Sequence, residues 1–264
     1  MARVIAVTNQ KGGVGKTTTC VNLAASLAAT KRRVLLVDMD PQGNATMGSG
    51  IDKNALTVSG YDLLTKRASA AEVIIPAEAS GFDILPANGD LTAAEVALMN
   101  EIGREHRLRL ALNTIREQYD YILIDCPPSL SLLTVNALSA ADTVLIPMQC
   151  EYYALEGLAA LMNTVEQIQE TVNPALQIEG ILRTMYDPRN SLTLDVSGQL
   201  SEYFGDRVYK AVIPRNVRLA EAPSYGMPAL KYDRASKGAI AYLALAGEMV
   251  RRHGSAKTAS AVAV

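Results

Sequence analysis

The stretch RVIAVTNQKGGVGKTTTC, residues 3–20, constrains this chain more than any other. A short β-branched apolar run passes into a glycine loop, and the loop into a helix-forming run. Val21, Leu23, Ala24 and Leu27 continue that last run at helical spacing. Between a strand and a helix, Gly15-Lys16-Thr17 reads as a phosphate-binding loop. Gly12, Gly13 and Gly15, with Val14 and Thr18 in the same segment, let backbone N–H groups close around phosphate oxygens. The positive end of the helix starting near Lys16 adds to this. Lys16 is placed to neutralise the β- and γ-phosphates, and the Thr17 hydroxyl to bind Mg²⁺.

The loop departs from the ordinary pattern G-x-x-x-x-G-K-[ST]. Its first glycine should sit at position 10, where the chain has Gln10 followed by Lys11. Gly12 and Gly13 can do the work of the missing glycine, which leaves Lys11 as a second mobile cation near a triphosphate. Spacing alone leaves open whether Lys11 serves its own nucleotide or a neighbour's.

The rest of the chain supplies a frame for such a loop. Buried strands are expected at 3–8, 33–40, 82–87, within 119–129, at 141–148, in LQIEGILRTMYD and in RVYKAVIP. Helices are expected at 91–118 (one long or broken), near 154–170, near 191–204 and at 235–252. Continuous apolar strands alternating with helices make an α/β fold, a mostly parallel twisted sheet with helices on both faces. The functional loops then lie at the carboxyl ends of the strands, at 9–16, 39–46, 126–130, 147–153, 186–190 and 214–224. With 264 residues, the chain suits a single domain over 1–252, followed by a short flexible tail over 253–264.

Two acidic motifs belong to this edge. VDMDPQGNAT ends a strand with Asp38 and Asp40; one carboxylate there can orient water or hold Mg²⁺-bound water, or either can cap the following turn. YILIDCPP ends four apolar residues in Asp125, which can hold Mg²⁺ through water or cap the turn before Pro127. In VIPRNVRLAEAP, Asn216 is either part of a base-binding edge or a helix cap.

Composition narrows the function classes. The formal net charge of −2 carries no global signature for nucleic acid. Residues 183–237 nevertheless hold nine Lys or Arg against six acids. Three widely spaced cysteines, Cys20, Cys126 and Cys150, form no disulfide framework and suit a reducing cytosol. The apolar start is too short for a signal peptide.

KGGVGKTT resembles the deviant Walker A motif of the ParA/MinD branch of P-loop ATPases. VLLVDMDPQGNAT, YDYILIDCPPSL, EYYALEGLAAL and IPRNVRLAEAPSYGMP extend the resemblance to the chromosome-partitioning ParA (Soj) group over nearly the whole chain. The resemblance implies a P-loop NTPase fold and a slow Mg²⁺-ATPase. It implies an ATP-dependent homodimer in which Lys11 reaches the partner's phosphates, and catalytic roles for Lys11, Lys16 and Asp40. Asp40 would position the attacking water, while Asp38 supports Mg²⁺ or the loop. The backbone of Pro214 and the side chain of Asn216 would contact adenine. Arg189 and Arg218 match residues for nonspecific double-stranded DNA, with Arg215 a weaker candidate. A ParB-type centromere-binding partner would stimulate hydrolysis, placing the protein in the cytoplasm on the nucleoid with no membrane partner. The alternative is a MinD-like membrane-associated regulator of cell-division site placement; the tail, with a lone Lys257 among small residues, lacks the basic amphipathic stripe this would need. A third reading, an iron–sulfur cluster carrier built on Cys126 and Cys150, lacks the flanking motifs.

Overall fold

The computed structural model describes the backbone of residues 1–262 and the side chains up to Gly254. Eight strands form one sheet: β1 (Arg3–Val7), β2 (Val34–Asp38), β3 (Ile75–Ala77), β4 (Phe82–Leu85), β5 (Tyr121–Asp125), β6 (Thr143–Gln149), β7 (Gln177–Tyr186) and β8 (Val208–Pro214). Their order is β3-β4-β2-β5-β1-β6-β7-β8, and every pairing is parallel except β3 with β4. Around them lie α1 (Lys16–Ala29), α2 (Asn44–Gly48), α3 (Gly60–Leu64), α4 (Ala70–Val73), α5 (Leu91–Ala97) and α6 (Arg107–Asn113). The remaining helices are α7 (Leu132–Ala140), α8 (Ala154–Thr171), α9 (Ser191–Phe204), α10 (Val217–Glu221), α11 (Ala229–Tyr232) and α12 (Lys237–Val262).

The two faces of the sheet make two cores. Ile5, Val7, Leu36, Leu123 and Leu145 point to one face, where Leu23 and Leu27 of α1 and Leu245 and Met249 of α12 cover them. Their neighbours Val4, Ala6, Leu35, Ile122, Ile124 and Ile146 point to the other, under Leu91, Leu108, Leu133 and Leu158 of α5 to α8. Both faces are buried, so the strands show no polar alternation and read as continuous apolar runs.

The parallel sheet and the seven expected strands are present. The antiparallel edge strand β3 is an addition to them. It has three residues with Pro76 at its centre, and proline in a strand ordinarily argues against one except at an edge. The run 91–118 resolves into α5, α6 and 3₁₀ turns at Arg104–His106 and Arg116–Gln118. α5 ends at Ala97, and Gly103, with a left-handed φ of 67°, precedes the first of these turns. At the other end α12 continues through Val262, into the segment expected as a tail; Ala263 and Val264 lie outside the described residues.

A buried carboxylate ties α12 to the sheet. Glu179 of β7 accepts hydrogen bonds from Tyr209 Oη at 2.8 Å and Thr143 Oγ1 at 2.9 Å. Its oxygens also lie 2.8 Å from His253 Nε2 on α12 and 3.2 Å from Arg3 Nε. Burial pushes the carboxyl up, but His253, Arg3 and Tyr209 outweigh burial and hold it down at about 2. A depressed folded value contributes stability that is present above the unfolded value of 4.5 and lost as pH falls toward 2. Glu179→Gln should therefore cost about 3 kcal/mol at neutral pH in urea unfolding. The gap from wild type should close as the pH is lowered from 4.5 toward 2; a gap that stays constant would show that the cluster's charge is not what holds α12.

Candidate nucleotide-binding site

Strand register brings the acidic motifs to the glycine loop. Val7, Asp125 and Asp38 are aligned across β1, β5 and β2, so the three strand exits stand side by side. The glycine loop leaves β1 there and is pinned along its length. Asn9 Nδ2 donates to Pro147 O at 2.9 Å, while its Oδ1 accepts from Lys11 N at 3.0 Å. Gln10 Nε2 donates to Thr164 Oγ1 of α8 at 3.0 Å, and Thr184 Oγ1 donates to Val14 O at 2.8 Å. Gly13 and Gly15 have φ of 73° and 86°, which any side chain would strain. Gly15 is the residue from which α1 starts.

Lys16 is 8% exposed and turns its Nζ back onto Lys11 O at 3.2 Å. A carbonyl of the glycine loop thus accepts from the ammonium. Burial lowers the ammonium's pKa, with the negative field of Asp125 opposing the shift. Asp125 is fully buried. It accepts from Cys20 Sγ at 3.4 Å and lies close to the Thr17 side chain, which helps hold its carboxyl down, yet its Oδ2 has no partner among the described residues. Burial and then the neighbouring Asp38 push its carboxyl up. A buried acid with an unmade acceptor, beside the Thr17 hydroxyl and facing a lysine, is a donor set that a divalent cation would complete.

The two acids of VDMDPQGNAT part ways. Asp38 is fully buried, and its loop takes up both oxygens: Oδ2 accepts from Thr46 N at 2.8 Å and Thr46 Oγ1 at 2.7 Å, and Oδ1 from Asp40 N at 3.2 Å. That geometry serves the loop-supporting reading of Asp38. Asp40 is half-buried; Oδ1 accepts from Gln42 N at 2.9 Å, and its field reaches Lys16.

A cavity of about 340 Å³ opens beside the glycine loop, between β7 and β8. Gly15, Thr18, Pro214, Arg215, Asn216 and Tyr242 are among the residues that line it. Asn216 precedes α10 but makes no side-chain cap bond; its Oδ1 is buried without a partner among the described residues. The cap reading is therefore not the one the side chain adopts. A larger groove of about 990 Å³ lies at the amino ends of the strands, beside Arg3, Tyr121, Thr143 and Gln177. It contains none of the loops above, and ligands of parallel sheets sit at the opposite edge.

Several neighbours of the loop escaped the sequence reading. Lys11 Nζ is 2.6 Å from Glu151 Oε2, both side chains being nearly half exposed. Thr184 holds the loop, and Met185, with a left-handed φ of 49°, lines the cavity. The one signal for them was position, just past or at the ends of β6 and β7. Cys20, Cys126 and Cys150 are all buried and free.

The basic candidates lie at the same edge. Arg189 follows β7, is 89% exposed and pairs with Asp187, Nε and Nη2 at 2.9 and 2.8 Å. Arg215 follows β8, and its field reaches the same Asp187. Arg218, on α10, pairs with Glu221 at 2.7 Å and Asp233 at 3.3 Å. Arg183, counted in the basic excess, is structural: its guanidinium donates to Ser197 Oγ and Tyr209 O, both at 2.7 Å.

A family model described as an AAA domain matches residues 2–178. The chain is 55% identical over 249 residues to the sporulation initiation inhibitor protein Soj of Bacillus subtilis (strain 168), covering 94% of this chain and 98% of that one. It is 52% identical over 252 residues to the chromosome partitioning protein ParA of Myxococcus xanthus (strain DK1622), covering 96% and 89%. Among solved structures, cobyrinic acid a,c-diamide synthase from Mycobacterium smegmatis, with bound ATP analog and magnesium, is similar at a TM-score of 0.85 and 38% identity, covering 97% of each chain.

Proposed function

The chain belongs to the ParA/Soj family of chromosome-partitioning ATPases, and from that premise we propose that it is a slow Mg-ATPase whose ATP-bound dimer binds DNA without regard to sequence. A ParB-type partner stimulates hydrolysis and releases the dimer in the cytoplasm, on the nucleoid. The observation that carries this is the gathering of the glycine loop, Lys11, Asp40, Asp125 and Arg189 at one edge of the sheet.

Each residue then has a physical task. The backbone of 12–18 and Lys16 hold the phosphates, Lys16 exchanging Lys11 O for a phosphate oxygen. Thr17 and Asp125 would hold Mg²⁺, which when bound neutralises charge building on the phosphates. Asp40, with one carboxylate oxygen free of its loop, orients water. Lys11 is held in the single chain by Glu151. An exposed ion pair of this kind is weak, about 0–1 kcal/mol, so a partner's triphosphate can displace it.

Light scattering with and without Mg-ATP tests assembly. Wild type should pass from monomer to dimer with ATP, and Lys11→Ala should stay monomeric while still binding nucleotide. Dimers of equal mass in both proteins without nucleotide would overturn the reading. Co-sedimentation with duplex DNA and with anionic liposomes on the same samples separates partitioning from membrane regulation. No helix among the described residues is long and apolar enough to cross a membrane.

The cavity beside Asn216 suits a purine base, to whose ring nitrogens the Asn216 side-chain amide would donate. One net hydrogen bond is worth about 1 kcal/mol, so Asn216→Ala should weaken ATP binding about fivefold and narrow the preference over GTP. Fluorescent-nucleotide competition checks this; unchanged ATP and GTP affinities would place the base elsewhere.

A further inference from the structure

We propose that the face around Leu110 is a docking groove for an acidic peptide segment of a partner protein, one that carries an apolar anchor beside its carboxylates. Two hollows, of about 400 and 300 Å³, meet there and share Lys66, Arg107 and Leu110. They lie among α3, α4 and α6 and share no residue with the nucleotide cavity.

The charge of the groove is one-sided. Lys66, Arg67, Arg107 and Arg109 line it against a single acid, Glu72. That acid is occupied, its Oε2 accepting from Ser69 N at 2.8 Å and Ser69 Oγ at 2.6 Å. Lys66 and Arg109 form no ion pair among the described residues. Arg67 lies over the Tyr61 ring, 5.0 Å from its centroid. Arg107 is 7% exposed and pairs through Nη2 with Glu101 at 2.7 Å, but its Nε is buried with no acceptor among the described residues. Lys66 follows the C-terminal end of α3 with a left-handed φ of 61°; its N–H donates to Leu63 O and that of Arg67 to Asp62 O, the backbone bonds that close the helix and hold Lys66 at the groove.

The apolar surface decides what kind of anion fits. Ile102 is 99% exposed and Leu110 58% exposed, and both line the smaller hollow. A free anion or a nucleic-acid backbone would use the cations and leave these two side chains in water. A peptide with Asp or Glu next to an aliphatic residue uses both, the carboxylates on Lys66 and Arg109 and the aliphatic group between Ile102 and Leu110. The chain as a whole carries −2, so the cations of this face form a local basic patch that complements an acidic segment.

The test pans a phage-displayed random peptide library on the full-length protein, then measures the recovered peptides by fluorescence anisotropy. The expected result is a set of peptides in which Asp or Glu flanks Leu, Ile or Phe. These should bind the doubly reversed Lys66→Glu, Arg109→Glu variant at least about tenfold more weakly, and Ile102→Ser several-fold more weakly. Basal ATPase activity should be unchanged in both, which shows that the fold survives. Recovery of no acidic–apolar consensus, or equal affinity for the reversed variant, overturns the proposal. Loss of duplex DNA binding in the reversed variant, with no acidic peptide recovered, assigns the cations to nucleic acid and overturns it too.

Discussion

Replacing Asp40 with alanine should leave ATP binding intact and slow turnover about a hundredfold or more, the usual scale for losing a positioned acid–base group. The structure separates Asp40 from its neighbours in a way that makes this specific. Asp38 and Asp125 are fully buried, and removing either disturbs the loop or the buried charge balance as well as any chemistry. Asp40 is half-buried, accepts the Gln42 amide through Oδ1, and is close enough to influence Lys16 electrostatically. Its side chain can be removed without opening the fold. Lys16→Ala is the contrasting variant. It deletes a buried cation held by a loop carbonyl and by the fields of Asp125 and Asp40, so phosphate binding itself should fail. Equilibrium ATP binding and phosphate release, measured on both variants, distinguish the two. The Asp40 variant should accumulate as ATP-bound dimer; if it turns over normally, the water-positioning role belongs to another group.

The second large effect concerns DNA. Arg189→Glu and Arg218→Glu should each abolish retention on duplex DNA at physiological salt, with ATP-driven dimerisation retained. One protomer offers few phosphate contacts, and pairing two doubles them, so affinity rises steeply on dimerisation. Removing one cation from the DNA phosphates should flatten the slope of log affinity against log salt by about 0.9. The structure adds a condition absent from the sequence reading. Arg189 is already paired with Asp187, and Arg218 with Glu221 and Asp233, so DNA binding there would have to displace these acids. Exposed pairs are weak, and the displacement is correspondingly easy. Asp187→Asn should then strengthen DNA binding, because it releases Arg189 and relieves Arg215 of the same competitor. DNA retention and dimer mass are measured on the same samples. Full retention by both reversed variants would locate the DNA surface elsewhere, and loss of dimers would make these arginines interface residues.

The phosphate loop was legible because its requirements are local. Gly13 and Gly15 occupy left-handed backbone that other residues resist, and the strand before them and helix after them follow from apolar spacing alone. The same holds for Asp125 and Asp38, each the last residue of an apolar strand, and for the parallel sheet, whose doubly buried strands carry uninterrupted Val, Ile and Leu. β3 was not legible, since three residues around a proline become a strand only when β4 presents its open edge.

The amino-acid sequence by itself therefore determined which loops gather at the carboxyl edge and which charged and glycine residues they bring there, because backbone preference and hydrophobic period act within a few residues of each position. What each side chain does there was decided only by the tertiary structure. Lys11 meets Glu151 from 140 positions away, Thr184 reaches Val14 across 170, and Asn216 makes no cap bond and lines a cavity instead. Those partners are set by strand order and register, and a contact between residues so far apart leaves no local pattern from which to read it.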